Sequence, residues 1–508
     1  MVLQKNKHGR INGMKKSIFL KISAITFLMA GVVFCGCSNS NDEPIEPVGP
    51  KTYTLTIEAS KGGSAETRIL TPGDNSLVST WETSDKVYVT KSVESSSCGL
   101  LQPQSSGATA TLSGKITGTF AQGDGLTFQY PQETKDYTGQ KGTLADISAK
   151  YDYSVATAKV DNVSGNVIAI KDFRGFANQQ AIVKFTLKDI LKDADGGLVN
   201  ATSLTISADG LQTKAGSDPG VITISPTSAT SEYYVALSGI SNTKISLTAT
   251  VGSDTYFYER PNVTFENGKY YEVTVNMKNQ SLYSEPLTFE AVGGGEINLV
   301  FHNLSGGEVK VKINNGSWET YTSSNVLTGT KFSFCGKNAS YYPDSENPSF
   351  FQCSDHCYVY GNIMSLVNGK DDFAHATELT EDDAFRELFK FRGSEGYPGQ
   401  IKSNQDKPLL LPATKLTKNC YQSMFEGCTV LKSAPVLPAA TLVSGCYNYM
   451  FKGCANLNYI KCLAKPIPEG CTTEWVNDVA ESGTFVSADG VFWSAGVNGN
   501  PWGSQNNQ

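Results

Sequence analysis

A repeat near the C-terminus constrains the fold of this 508-residue chain more than any other feature. Residues 411–436 read LPATKLTKNCYQSMFEGCTVLKSAPV and residues 437–462 read LPAATLVSGCYNYMFKGCANLNYIKC, a period of 26 residues. One such unit cannot bury its own apolar face, whereas stacked units share a continuous core. The sequence therefore predicts a short solenoid over 376–508 that ends in a terminal cap. The recurring core positions are Cys420, Met424, Phe425, Cys428 and Leu431 in the first unit, and Cys446, Met450, Phe451, Cys454 and Leu457 in the second.

The segment before the repeat has a different pattern. Thr380 and the acidic residues after it resemble a capping box, and the following FRELFKF predicts a short helix. That helix would carry Phe385, Leu388 and Phe389 on one face. Within the repeat, we favour cysteine thiols that stack as small buried hydrophobic groups. Disulfides between neighbouring units are the alternative, which an exported protein could form.

The unit LPATxL…CYxxMFxGCxxL strongly resembles the BspA-like leucine-rich-repeat surface proteins. The segments CYVYGNIMSL and CTTEWVNDVAESGTFV also fit that pattern, so the resemblance covers about 283–508. It implies a short α/β leucine-rich-repeat solenoid on the cell surface that adheres to host or bacterial macromolecules. For Trp493 and Trp502 in the final segment, we favour covering the open core over contacting a ligand.

The part of the chain before the repeat is predicted to be mainly β. Apolar and polar residues alternate from KTYTLTIEAS onward, a pattern typical of half-buried strands. The run from STWETSDKVYV to YYEVTVNM resembles the fimbrillin-like family over about 51–278. The family implies two tandem β-sandwich domains, which we place at 51–170 and 171–278. Residues 283–375 are predicted to form a further β-rich domain.

The fimbrillin-like resemblance raises the question of assembly. Subunits of that family polymerise when a strand of one subunit is added to an open sheet edge of the next, after an N-terminal strand is removed. Arg68 is a candidate protease-processing residue for such a removal, although an ordinary surface arginine is the interpretation we favour. Because the chain continues well beyond residue 278, polymerisation as a fimbrial shaft is not expected.

One short motif invites a metal interpretation. Cys353-Ser354-Asp355-His356-Cys357 brings together types of residue that bind zinc, but the spacing departs from a zinc knuckle and no second ligand pair follows. We therefore expect no metal. A disulfide between Cys353 and Cys357, or two packed thiols, fits the motif better.

The N-terminus has the layout of a secretory signal over residues 1–36, with Met14 as an alternative start. Phe34-Cys35-Gly36-Cys37 resembles a bacterial lipobox and predicts lipidation of Cys37, with a cleaved, unanchored signal as the alternative. Residues 37–50 are acidic and rich in proline, as expected of a flexible tether. The predicted location is the outer membrane, anchored by lipid and facing the exterior.

Charge and motifs limit the classes of function. Removal of residues 1–36 leaves 36 basic against 49 acidic residues, a net charge of −13 that opposes binding to nucleic acid. The sequence contains no HExxH, Walker or GxSxG motif, so we expect neither an enzyme nor a cofactor. The leading hypothesis is a surface adhesin or interaction protein that binds a protein or glycan of a host or bacterial surface. The alternatives are a fimbria-associated accessory or tip subunit, and a surface glycan-binding lipoprotein.

Overall fold

The structure is a computed structural model. It describes residues 50–60, 71–73, 76–78, 80–93, 97–131, 134–192, 197–214, 220–304, 308–404, 406–465, 469–488 and 490–503. The chain divides into two compact units, 1–49 and 50–508, and every described residue belongs to the second. This unit is mainly β, as the sequence predicts. No helix of the described part is long and apolar enough to span a bilayer.

The first sheet closes on itself. Its strands lie in the order β10-β8-β7-β4-β5-β6-β1-β9, and β9 also pairs with β8. In β1, alternate side chains from Tyr53 to Ala59 are buried and the intervening polar ones face outward, so one face of the strand supplies the core. The elements of this region are β1 (Lys51–Ser60), β2 (Thr71–Gly73), β3 (Ser76–Val78), β4 (Val87–Lys91), β5 (Ser97–Pro103), β6 (Thr109–Gly118), β7 (Gly125–Tyr130), α1 (Leu144–Lys150), β8 (Ser154–Ser164), β9 (Val167–Lys171) and β10 (Ala177–Asn178).

The second sheet has seven strands in the order β13-β12-β15-β16-β17-β11-β14. Its long central hairpin, β15–β16, reverses at Gly252, whose φ of 59° lies in the left-handed region that glycine adopts without strain. The elements are β11 (Ala181–Asp189), β12 (Ser203–Ala208), β13 (Val221–Ile224), β14 (Glu232–Leu237), β15 (Ile240–Val251), β16 (Asp254–Phe265), β17 (Tyr270–Asn279) and α2 (Gln280–Tyr283).

The two sheets share a segment around the predicted boundary at residue 170. Strand β10, which lies beyond that boundary, still pairs with β8 of the first sheet. Tyr137, Ile147 and Tyr151, which precede the boundary, pack into the core of the second sheet. The division at 170 stays a prediction, and the structure shows that the chain crosses between the two cores more than once.

The third region begins at Leu287 and shares one hydrophobic core with the repeat units. One hydrophobic cluster runs from Leu287 to Phe485 and crosses the predicted boundary at 375. The elements are β18 (Leu287–Ala291), β19 (Ile297–His302), β20 (Val309–Ile313), β21 (Glu319–Thr320), β22 (Leu327–Gly329), β23 (Lys331–Gly336), β24 (Phe350–Cys353), β25 (Cys357–Asn362), α3 (Ser365–Asp372), β26 (Ile401–Ser403), β27 (Leu409–Leu410), β28 (Tyr459–Cys462) and β29 (Thr484–Ser487).

The repeat units form a stack of tight coils. We name them coil 1 (383–391), coil 2 (419–427), coil 3 (445–453) and coil 4 (471–477). Alternate backbone N–H groups in a coil donate to carbonyls of the next coil, for example Phe385 N to Cys420 O at 2.8 Å and Tyr421 N to Cys446 O at 3.1 Å. Stacked apolar side chains thus share one core, as expected when units cannot bury their own faces. Assignment of this stack to the leucine-rich-repeat fold stays a prediction.

The helix predicted over FRELFKF is wrong. Residues 382–389 are a succession of turns, and Asp383 and Glu387 have φ values of 55° and 56°. Ser423 and Tyr449 take the same left-handed conformation in coils 2 and 3. A left-handed residue at every fourth position prevents an α-helix and turns alternate N–H groups sideways, toward the neighbouring coil.

Candidate functional site

Two of the predicted functional residues, Cys37 and Arg68, lie outside the described residues. The ten predicted repeat-core residues are all buried, with at most 2% of any side chain exposed. They therefore form the scaffold of the stack.

The repeat cysteines are free thiols in the structure. Cys428 Sγ donates to Phe389 O at 3.1 Å, and Cys454 Sγ donates to Phe425 O at 3.0 Å, so each thiol bonds to the preceding coil. Burial raises the pKa of the Cys420 and Cys454 thiols to about 12. The thiolate, which is the reactive form of cysteine, is therefore suppressed at neutral pH.

Cys353 and Cys357 belong to the hydrophobic core that the third region shares with the coils. The two Sγ atoms are 2.9 Å apart, both thiols are buried, and contact with Cys353 together with burial raises the pKa of Cys357. Both residues are free thiols in the structure, and the disulfide between them stays a prediction. His356 accepts a hydrogen bond from Gln400 N at its Nδ1. No group of three metal-binding side chains with suitable geometry occurs among the described residues.

The terminal segment, which we define as residues 490–503, covers coil 4. Asn498 Oδ1 accepts from Glu474 N at 2.6 Å, and Trp475 Nε1 donates to Gly499 O at 2.9 Å. A Cβ atom at Gly499 would overlap the carbonyl oxygen of Ser494, so only glycine fits this turn. Trp493 stacks on Trp475 with ring centroids 5.4 Å apart, and the indole of Trp502 donates to Ala480 O at 2.8 Å. Both tryptophans thus help to close the stack.

The same segment forms one wall of an open cleft, which we name the end cleft. It has a volume of about 550 Å³, and it lies between the start of coil 4 and the terminal segment. Phe492 stands at this cleft with 75% of its surface exposed. The lining residues used below are Glu469, Thr472, Thr473, Phe492, Trp493 and Asn498.

The outer edge of β14 is sealed by the chain itself. Tyr234 N donates to Gly142 O at 3.0 Å, and Ala236 N donates to Gln140 Oε1 at 2.8 Å. Gln140 Nε2 in turn donates to Ala236 O at 2.8 Å, so this buried side chain imitates the backbone of an added strand. Gln140 O also accepts from Ser225 N, just beyond β13. The segment around Gln140 therefore bridges both edges of the second sheet.

The first sheet and the sheet of the third region also expose few unpaired strand edges. The first sheet closes through β9, which pairs with β1 at Thr54 and Leu55 and with β8 along its length. In the third region, the edge strand β21 has only two residues, both exposed. Closure and short edge strands are the usual means by which sheets avoid unwanted strand addition.

The end cleft and the Gln140 bridge were not predicted from the sequence. The sequence gives one weak indication that Phe492 is functional, since this residue neighbours Trp493 in a short segment rich in aromatic residues. Gln140 had none, because its partner Ala236 lies 96 residues away along the chain.

Comparison with known proteins gives distant similarities only. No family model and no curated protein matches the chain. A putative cell adhesion protein from Bacteroides uniformis is 15% identical, with 46% of this chain and 98% of that chain covered and a TM-score of 0.26. A fimbrial assembly protein from Parabacteroides distasonis is 13% identical, with 44% and 90% covered and a TM-score of 0.24. Similarity at these TM-scores does not establish a common fold.

Proposed function

We propose that the chain is a cell-surface interaction protein, an adhesin, in which the coil stack recognises a macromolecule and the β-sheets act as its stalk. One contrast carries the proposal. The first sheet is closed and the β14 edge of the second is bonded to the chain's own backbone and to Gln140, whereas the end cleft is open beside an exposed Phe492. A groove with an exposed aromatic residue is the ordinary setting for recognition.

The proposal includes the lipid anchor predicted at Cys37. An acylated cysteine followed by a polar tether would hold the sheets near the membrane and leave the C-terminal stack farther along the chain. The mature net charge of −13 suits a protein or glycan partner better than a nucleic acid.

Surface display tests the proposal directly. The full chain is produced in a non-adherent Gram-negative host, and retention of cells on immobilised mucin, fibronectin and bacterial polysaccharide is counted. We expect cells that display the chain to be retained on at least one surface. Cells with the Cys37→Ser variant, which lacks the thiol that would carry the lipid, should not be retained. Equal retention of displaying and empty cells on every surface would contradict the function.

A second candidate is an accessory or tip subunit of a fimbria. It is favoured by β1, which pairs with β6 over ten residues but with β9 over only two. Loss of β1 would leave β6 with a long unpaired edge that could accept a strand. Fimbriae sheared from cells that make the chain should then contain it, whereas its absence from them would remove this candidate.

A further inference from the structure

The stack contains a ladder of aromatic rings that runs toward the end cleft. Phe385, Tyr421, Tyr447 and Trp475 follow one another with ring centroids 5.8, 6.2 and 6.0 Å apart. Trp493 adds the final ring at 5.4 Å from Trp475, with the planes 28° apart. Each ring up to Trp475 is covered by the next one. Trp493 ends the ladder and lines the end cleft.

The polar groups of the end cleft fall into two sets. Thr472 Oγ1 donates to Asn498 O at 2.7 Å, and Asn498 Oδ1 accepts from the backbone of coil 4, so both serve the fold. Three side-chain groups form no hydrogen bond or ion pair within the described residues. They are the hydroxyl of Thr473, the side-chain amide nitrogen of Asn498 and the carboxylate of Glu469. A donor, an acceptor and a hydroxyl are thus free beside two aromatic rings.

We propose that the end cleft binds a neutral saccharide. A pyranose ring presents a C–H face that can pack on Phe492 or Trp493, and a rim of hydroxyl groups that can bond to Thr473, Asn498 and Glu469. The volume of about 550 Å³ falls in the range of small-ligand sites and accommodates one or two sugar rings.

The lining residues argue against other ligands. None of the described lining residues is basic, and Glu469 is acidic, so an anionic group would meet repulsion without a counter-charge. An apolar peptide side chain would cover Phe492 but leave the polar groups without partners. A neutral ligand with many hydroxyl groups satisfies both the rings and the polar groups.

This inference rests on the proposed function, because it names the class of ligand that the coil stack recognises. The test titrates the purified full-length chain with three probes, namely cellohexaose, mannohexaose and an N-acetyllactosamine oligomer. Intrinsic tryptophan fluorescence and calorimetry report binding, and thermal melting reports folding. We expect at least one probe to bind with a Kd of about 1 mM or tighter.

Three variants locate the site. Phe492→Ala removes an exposed ring, and Thr473→Val removes a hydroxyl without changing the shape of the side chain. Val326→Ala removes apolar surface that is 55% exposed before β22 and serves as the control. We expect about tenfold weaker binding for Phe492→Ala and about fivefold for Thr473→Val, with unchanged melting, and no change for the control.

Two results would overturn the inference. One is the absence of binding by any probe at about 5 mM, a concentration that would reveal millimolar affinity. The other is binding that stays within about twofold of the unsubstituted chain in both Phe492→Ala and Thr473→Val. If cells that display the chain still adhere when either result is found, the adhesin function stands and only the saccharide site is refuted. Saccharide binding by a chain that supports no adherence would leave the saccharide site standing and contradict the adhesin function.

Discussion

At the scale of single residues, Gln140 joins the two edge strands of the second sheet, β13 and β14. Its side-chain amide bonds to both the N–H and the C=O of Ala236, and its backbone carbonyl bonds to Ser225 N. A glutamine side chain ends in the same amide group as the backbone, which explains why it can replace a strand at this edge.

Substitution of Gln140 tests this bridge. Gln140→Leu keeps the size of the side chain but leaves the N–H and C=O of Ala236 unpaired in a buried place, which should cost about 2–5 kcal/mol. The exposed Gln104→Leu should cost less than about 0.5 kcal/mol. Hydrogen exchange of the β14 amides, with urea unfolding, measures the difference. Equal stability of the two variants would contradict the strand-replacing role.

Lys278 is a half-buried cation near the end of β17. Its Nζ lies 5.2 Å from the ring centre of Tyr283 and 5.8 Å from that of Phe257, and burial lowers its pKa to about 8. A lowered pKa means that the folded state binds this proton less tightly than the unfolded state. The lysine should therefore reduce stability most at neutral pH, and less as the pH rises toward its ordinary pKa of 10.5.

We expect Lys278→Met to stabilise the chain by about 3–4 kcal/mol at pH 7, since the pKa falls from 10.5 to about 8 and about 1.4 kcal/mol corresponds to each pKa unit. The gain should shrink toward pH 10, where the lysine of the folded state is already neutral. Urea unfolding of both chains at several pH values measures it. A gain that is independent of pH would assign the effect to packing instead of charge.

At the scale of elements, the coils show what sequence reasoning can and cannot reach. The 26-residue period predicted which residues stack, because Phe425 and Phe451 recur at one position and lie 5.5 Å apart between ring centres. The helix over FRELFKF was wrong, because spacings of three and four residues fit both a helix and these left-handed turns. Neighbouring coils decide between the two by accepting the N–H groups.

Alternating strands were likewise predictable from apolar periodicity, as in β1. The end cleft was not, because Glu469 and Asn498 approach each other only once the terminal segment folds back on coil 4. The bridge at Gln140 depends on a contact with Ala236, 96 residues away along the chain, which no local pattern encodes.

The terminal segment offers a clean test of close packing. Gly499→Ala should cost about 1–3 kcal/mol because its Cβ would overlap Ser494 O and displace the acceptor of Trp475 Nε1. Gly295→Ala is the matched control, since a Cβ there meets no atom within 4 Å. Thermal melting and Trp fluorescence should change only in the first variant. A tolerated Gly499→Ala would mean that the terminal segment does not seal coil 4 as described.

The buried cysteine thiols of the coils are predicted to be unreactive in the folded chain. Burial raises the pKa of the coil thiols, so they remain protonated well above their ordinary range and shielded from reagents. Iodoacetamide at about pH 8, near the pKa of a free thiol, should modify only the partly exposed Cys98 among the ten described cysteines of the native chain. The urea-unfolded chain should react at all ten. Native labelling of Cys420 or Cys454 would show that the coils open.

At the scale of the whole molecule, we propose separate tasks for separate parts of the chain. A lipid on Cys37 would anchor the chain, the sheets would act as a stalk with few edges open to pairing, and the coil stack would end in a recognition cleft. The core runs unbroken from β18 into coil 4, so the cleft stands on a continuous packed support. Such support holds binding groups in place and lowers the entropy lost on binding.

Recognition at the end cleft is tested by the adherence of cells that display the full chain with one of two matched substitutions. Phe492→Ala, at the end cleft, should reduce retention on the recognised surface by about tenfold, with surface levels of the chain unchanged. Val326→Ala should adhere like the unsubstituted chain. Equal adherence of all three chains would contradict recognition at the end of the coil stack.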